Sequence, residues 1–259
     1  MKVVIFAGGF GTRLTEETAI RPKPMVEIGG RPILWHIMKI CSSYGLNDFV
    51  ILGGYKVEFI RDWIVNYRHK SSDIRVDLAS GTISHLGPQV EPWTVTVLDT
   101  GPSTMTGGRL KRAREVIGNE PFLLTYGDGV SDVDIDKLIA FHQRRGRMAT
   151  VTAVAPSGRF GVLGLDDSGE AVYAFREKDR KDTGLINGGF FVCEPGVFEL
   201  VDGDSTVWEQ EPMDRLVRAN QLSAFRHDGF WHAMDNVHDR TVLEQMWSSG
   251  RAPWKIWKD

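Results

Sequence analysis

The chain has 259 residues, 42% of them hydrophobic, which is enough to bury the core of one large α/β domain or two small ones and argues against disorder. Its 31 basic and 34 acidic residues leave a formal net charge of -3, so nothing pulls it globally toward nucleic acid or an anionic membrane, and any anion binding must be local. No run approaches the ~20 apolar residues of a spanning helix, no signal-peptide pattern precedes the first strand, and Cys41 and Cys193 lie far apart among apolar neighbours. These features exclude a disulfide scaffold and a zinc site, and they imply a cytoplasmic protein with two buried thiols.

The first predicted strand, Val3 to Phe6, runs straight into "FAGGFGTRL", residues 6 to 14. Its glycines let backbone N–H groups approach an anion or a flat base, and Arg13 adds a permanent charge with a donor fork suited to phosphate. Leu14 stands where a dinucleotide fingerprint needs its third glycine, and Gly11 is followed by Thr12, Arg13 and Leu14 rather than the Lys and Ser or Thr of a P-loop. A tight turn with a surface arginine is the structural alternative to a phosphate loop. Next comes "RPKPMVEIGGRP", residues 21 to 32, where two prolines flank Lys23. Each proline fixes its own φ at about -65° and extends the residue before it, so Lys23 loses little freedom on binding. Gly8, Gly9, Gly11, Arg13 and Lys23 therefore form a cationic, donor-rich cradle at the carboxyl end of the first strand, where open α/β sheets bind ligands.

Helical spacing follows at Ile33, Ile37, Ile40 and Tyr44, a strand at Phe49 to Leu52, and helical spacing again at Phe59, Trp63 and Ile64. Strands at Val95 to Leu98, Phe122 to Thr125 and Thr150 to Val154 bracket a helix carrying Ile135, Leu138, Ile139 and His142. This alternation predicts a mainly parallel sheet covered by helices through right-handed crossovers. From Ser157 onward shorter strands, Val162 to Leu165, Val172 to Phe175 and Phe190 to Cys193, are separated by Gly and Asp turn clusters and read as a substrate-covering half. Val237, Thr241, Val242, Met246 and Trp247 fit a last amphipathic helix before the tail "RAPWKIWKD", whose Trp254 and Trp257 suit packing on the body or on a neighbouring subunit. With no repeat or linker, one domain with two functional lobes is expected. Asp128, in "LLTYGDGV", occupies a Gly-flanked turn after a strand, a place suited to a Mg²⁺ ligand or to an ordinary turn residue. None of the seven histidines has metal-ligand spacing supported by a third ligand.

Taken together, "GGFGTRL" and "RPKPM" resemble the sugar-1-phosphate nucleotidyltransferase family. "EIGGRPILWHIMK", "EPWTVTVLDTG", "MTGGRLKR", "TYGDGV", "INGGFFV" and "WEQEP" look like the branch that transfers a cytidylyl group from CTP to α-D-glucose 1-phosphate. That reaction gives CDP-glucose and pyrophosphate for deoxysugar or surface-polysaccharide (O-antigen) pathways.

The resemblance implies a Rossmann-like three-layer α/β/α nucleotidyltransferase fold with a mixed, mainly parallel central sheet. It makes residues 1–259 a single domain, with a nucleotide part at roughly 1–130, a sugar-phosphate part at roughly 131–240, and a C-terminal helix and tail at 237–259. Around the nucleotide it places Phe6, Ala7, Gly8, Gly9, Gly11, Thr12, Arg13, Lys23, Thr106, Arg109, Lys111, Tyr126, Gly127 and Asp128. Arg13 is assigned to the departing pyrophosphate, Lys23 to the nucleotide phosphates and Lys178 to the sugar phosphate.

Glu177, Asn187 and Gly188, with Asp128, are assigned to the sugar phosphate, and Asp128 and Asp235 to Mg²⁺. Arg109 and Lys111 fit an exposed helix face equally well, and Asp235, just before a helix, could instead be its cap. Two departures, Asp179 in place of proline and "DNVHD" in place of an Asp-Thr-x-x-Asp segment, flank the sugar side. They leave open another sugar or polyol phosphate; CTP is implied over UTP or dTTP by the resemblance alone, and a non-catalytic sugar-nucleotide-binding subunit is the reading from another class. No nucleic acid or membrane partner is implied, and a homo-oligomer, trimer or hexamer, is.

Overall fold

The computed structural model describes residues 1–87, 90–155, 161–165, 172–177 and 184–258, without the side chains of 13, 15, 16, 161–165 and 172–177. Seven strands make the central sheet: β1 (Val3–Ala7), β2 (Asp48–Gly53), β3 (Thr94–Asp99), β4 (Phe122–Tyr126), β5 (Ala149–Val154), β6 (Ile186–Cys193) and β7 (Leu222–His227). Their order is β7-β5-β6-β4-β1-β2-β3. The pairs β1–β2, β1–β4, β2–β3 and β5–β7 are parallel, whereas β6 runs antiparallel to both of its neighbours. The sheet is therefore mixed and mainly parallel.

All five residues of β1 are buried, because a central parallel strand is covered on both faces and reads as a continuous apolar run. Its side chains alternate between two cores: Val3, Ile5 and Ala7 enter one, Val4 and Phe6 the other. The first core is closed by the helices Ile33–Ser42, Val57–Val65, Ile135–Arg145 and Val237–Ser248, the second by Thr106–Arg112, Glu211–Arg218 and the 3-10 segment Pro195–Leu200. Helices thus lie on both faces of the sheet, which gives three layers. Cys41 and Cys193 are buried free thiols, one in each core, and burial pushes the Cys41 thiol up to about 12.

Four features depart from the periodicity reading. Among the described residues, Gly161–Leu165 and Val172–Glu177 pair with each other, in a ribbon outside the central sheet. A second ribbon, Asp73–Asp77 with Thr82–Leu86, and the strand β7 carry no expected counterpart. The helix begun at Ile33 stops at Ser42, so Tyr44 falls in the turn that Gly45 closes at φ 75°.

The C-terminal tail packs on the body rather than outward. Trp254 is fully buried, and its Nε1 donates to His36 Nδ1 at 3.3 Å, while His36 Nε2 donates to the Ile28 carbonyl at 2.9 Å. Both ring nitrogens are committed with the imidazole neutral, and a second proton would face the Trp254 N–H. Burial pushes the His36 pKa from 6.5 down to about 4, against the opposing pull of backbone carbonyls. With the folded value below the unfolded one, the unfolded chain takes up this proton first on acidification. The stabilising contribution is complete above pH ~6.5, falls as the pH drops toward ~4, and changes no further below that. The stability difference between wild type and His36→Phe, from urea unfolding at pH 7 and pH 4, should shift by about 3 kcal/mol, and a pH-independent difference would contradict the locked tautomer.

Candidate active site

Strands β1 and β4 are parallel neighbours with Phe6 opposite Tyr126, so the loops that follow them leave the sheet side by side. The Gly127 N–H donates to the Phe6 carbonyl at 2.9 Å. A Cβ at Gly127 would stand 2.8 Å from that oxygen and 3.0 Å from Pro24 Cγ, so only glycine lets the chain pass between β1 and the proline after Lys23. Beyond it, Gly129–Ser131 pairs antiparallel with Trp231–Ala233, placing Gly129 opposite Ala233, and the Met234 N–H donates to the Asp128 carbonyl at 2.8 Å. Asp128 and Asp235 consequently stand at the same end of a short ribbon.

Lys23 joins them. Its ammonium lies 2.6 Å from Asp128 Oδ2 and 2.9 Å from Asp235 Oδ1, with 14% of the lysine side chain exposed. Burial works to lower the Lys23 pKa, but the two carboxylates outweigh it and hold the value above the usual lysine range. Helix capping does not consume Asp235. Asn236 is the N-cap, its Oδ1 accepting from the Asp239 N–H at 3.0 Å, and Asp239 Oδ2 accepts in return from the Asp235 and Asn236 N–H groups. The departure at "DNVHD" thus puts a capping residue at Asn236 and leaves the Asp235 carboxylate in the cleft.

The carboxylates open onto a cavity of about 440 Å³ lined by Phe6, Ala7, Gly8, Gly9, Gly11, Thr12, Lys23, Thr106, Arg109, Tyr126, Gly127, Asp128 and Asp235. Gly11 has φ +63°, the left-handed region that glycine enters without strain, and it turns the loop back toward Lys23. An adjoining cavity of about 240 Å³ shares Tyr126, Asp128, Glu209 and Asp235 and adds Gly188, Trp231 and Thr125. Asn187, exposed and next to Gly188 in the chain, donates from Nδ2 to Tyr126 Oη at 3.1 Å, and the Gly188 carbonyl accepts from Trp231 Nε1 at 2.7 Å. The 3-10 turn Thr12–Leu14 carries Arg13, whose side chain lies outside the described residues, as do the side chain of Glu177 and the whole of Lys178 and Asp179.

The two basic residues Arg109 and Lys111 have opposite settings, Arg109 lining the cavity and Lys111 on the exposed helix face. Arg109 is only 4% exposed, and its guanidinium donates to the carbonyls of Gly53, Gly101, Gly8 and Pro102 and to Thr100 Oγ1. A side chain on Gly8 or Gly54 would strike it at 2.2 Å. Arg109 therefore clamps the loops that wall the cavity, and Gly8 is a glycine because the guanidinium fills its Cβ position. Lys111 turns away altogether, donating to the Val201 and Asp202 carbonyls at 2.7 and 2.9 Å. Conversely, the cavity includes Phe10, Met105 and Glu209, to which sequence reasoning assigns no role. Glu209 sits in the quoted "WEQEP", and that motif is the one signal that singles it out.

Two carboxylates converging on one cationic point suit Mg²⁺, which takes one or two protein carboxylates and completes its shell with phosphate oxygens and water. Among the described residues no cluster of three metal-ligating side chains exists, so the remaining ligands would have to come from substrate and solvent.

A model of the nucleotidyl transferase family matches residues 2–232. The chain belongs to that family. Among its relatives, proteins named glucose-1-phosphate cytidylyltransferase from Salmonella typhi and Salmonella typhimurium are each 52% identical over 259 residues, covering all of both chains. The crystal structure of HddC from Yersinia pseudotuberculosis superposes with a TM-score of 0.68 at 24% identity, over 95% of this chain and 99% of that one, so this nucleotidyl transferase shares its fold.

Arg109 offers a direct check on how the cavity walls are held. Lysine cannot reproduce the guanidinium fork, so Arg109→Lys should lower unfolding stability by about 2 kcal/mol or more in a denaturant titration. A loss below ~0.5 kcal/mol would show that the carbonyls do not depend on it.

Proposed function

We propose that the protein transfers the cytidylyl group of CTP to α-D-glucose 1-phosphate, forming CDP-glucose and pyrophosphate. The observation that carries this reading is full-length 52% identity to proteins named for that activity. The pairing of Asp128 and Asp235 on Lys23 beside the glycine loop supports it.

The nucleophile needs no base, because a phosphate monoester loses its second proton near pH ~6 and is a dianion at neutral pH. The barrier lies in bringing two polyanions together in line. Lys23, kept protonated by its neighbours, supplies a fixed charge to the nucleotide phosphates, and Arg13 in the adjacent turn does so for the leaving pyrophosphate. A Mg²⁺ ion held by Asp128 and Asp235 would neutralise phosphate oxygens as charge shifts to the leaving group. Lys178 is assigned to the sugar phosphate, with Glu177, Asn187 and the backbone at Gly188 to sugar hydroxyls. We read residues 1–259 as one domain, acting in the cytoplasm as a homo-oligomer; among the described residues no helix is long and apolar enough to cross a membrane.

Pyrophosphate release with Mg²⁺, each nucleoside triphosphate and a panel of sugar and polyol phosphates tests the reading. CTP with glucose 1-phosphate should give the highest kcat/KM, rising with pH through ~6 and level above it. Preference for another acceptor would replace the substrate assignment, and tight nucleotide binding without turnover would favour a sensing subunit. Asp128→Asn should lower kcat by roughly 100-fold or more with the melting temperature unchanged, and near-wild-type turnover would remove Asp128 from the metal site.

A further inference from the structure

A carboxylate in a cleft meant for two polyanions requires a reason, and Glu209 stands on the wall shared by both cavities. Its hydrogen-bond partners among the described residues are hydroxyls, not cations: Thr106 Oγ1 donates to Oε2 at 2.7 Å and Tyr126 Oη donates to Oε1 at 2.7 Å. An ionised carboxylate can only accept, and a hydroxyl has one proton to give. Both hydroxyl protons are therefore committed to Glu209, and both hydroxyl oxygens are left as acceptors on their other side.

That is how they are used. Thr106 Oγ1 accepts from the Trp208 N–H at 2.9 Å, and Tyr126 Oη accepts from Asn187 Nδ2 at 3.1 Å. A phenol is protonated at neutral pH, so the one proton of Tyr126 is the one it donates to Glu209. At the end of the relay, Asn187 Oδ1 accepts from the Gly189 N–H at 2.8 Å. These contacts fix both ends of the Asn187 carboxamide and leave one N–H for a ligand. Without the Glu209 acceptor, the Tyr126 proton would turn toward Asn187 and favour a flipped amide, whose NH₂ would then face the Gly189 N–H, donor against donor.

We propose that Glu209 is a positioning residue for the sugar side of the cleft, fixing through the Tyr126 hydroxyl the orientation in which Asn187 presents its remaining N–H to a sugar hydroxyl. The inference rests on the nucleotidyltransferase reading above and adds to it a residue that determines acceptor specificity.

Rates with CTP and glucose 1-phosphate, compared with galactose 1-phosphate and mannose 1-phosphate, test it as ratios of kcat/KM. Glu209→Ala should reduce discrimination against the epimers by about tenfold while KM for CTP changes by less than about threefold. Tyr126→Phe should reduce the same discrimination against the epimers, and the double variant should lose no more of it than either single one, because all three cut one relay. Glu209→Gln should retain near-wild-type discrimination: its amide oxygen serves Tyr126, and its NH₂ can donate to Thr106 Oγ1. Unchanged discrimination in Glu209→Ala, additive losses in the double variant, or equal effects on CTP and sugar phosphate would each overturn the proposal. Should thermal melting show Glu209→Ala unfolded, Tyr126→Phe against Glu209→Gln decides by the same criterion. Wild-type protein that releases no pyrophosphate from any substrate pair contradicts the functional reading itself, whereas an active wild type with unaffected variants contradicts only the role of Glu209.

Discussion

The site depends on one ammonium placed between two carboxylates. Lys23 reaches Asp128 across 105 positions of sequence and Asp235 across 212, and each contact is of hydrogen-bond length. Two carboxylates that meet at one ammonium would repel one another without it, and the cation relieves that repulsion. The lysine supplies that charge in the free protein.

Everything else in the fold brings those three residues to one point. The parallel β1–β4 register sets the glycine loop beside Asp128, the antiparallel contact of Gly129 with Ala233 carries Asp235 alongside, and the Asn236–Asp239 capping box starts the last helix without using the Asp235 carboxylate. That helix then returns to the segment after Lys23: the Gly29 N–H donates to Glu244 at 2.8 Å, and a Cβ at Gly29 would collide with Trp247. Both ends of the chain are thereby fixed around the same cleft. Arg109 completes the enclosure from the opposite core by gathering carbonyls from the glycine loop, from the end of β2 and from the segment after β3.

Much of this was legible in the residues, for identifiable reasons. Strands such as Val3–Ala7 and Asp48–Gly53 are buried on both faces and announce themselves as unbroken apolar runs. The ribbon Asp73–Asp77 with Thr82–Leu86 does not, because its strands are only five residues long and exposed along nearly all their length, so the alternation of Ile74 and Val76 with polar residues is too brief to stand out. At the site, Lys23 and Asp128 were readable from proline and glycine context, but Asp235 required the family resemblance, since nothing local separates it from a helix cap. Arg109 and Lys111 illustrate the limit most clearly. Neighbours on one helix, both basic, they differ only in what the fold brings against them: four carbonyls and a hydroxyl for one, the carbonyls that end a 3-10 segment for the other. Glu209 was marked only by its place in "WEQEP", and its role lies in the hydroxyls it faces.

The central claim is that Asp128 and Asp235 form one divalent-cation site beside Lys23. Manganese binding to the protein with CTP, followed by electron paramagnetic resonance in wild type, Asp128→Asn and Asp235→Asn, addresses it most directly. The account predicts that either substitution weakens binding by about tenfold or more. Wild-type manganese affinity in Asp235→Asn would contradict it.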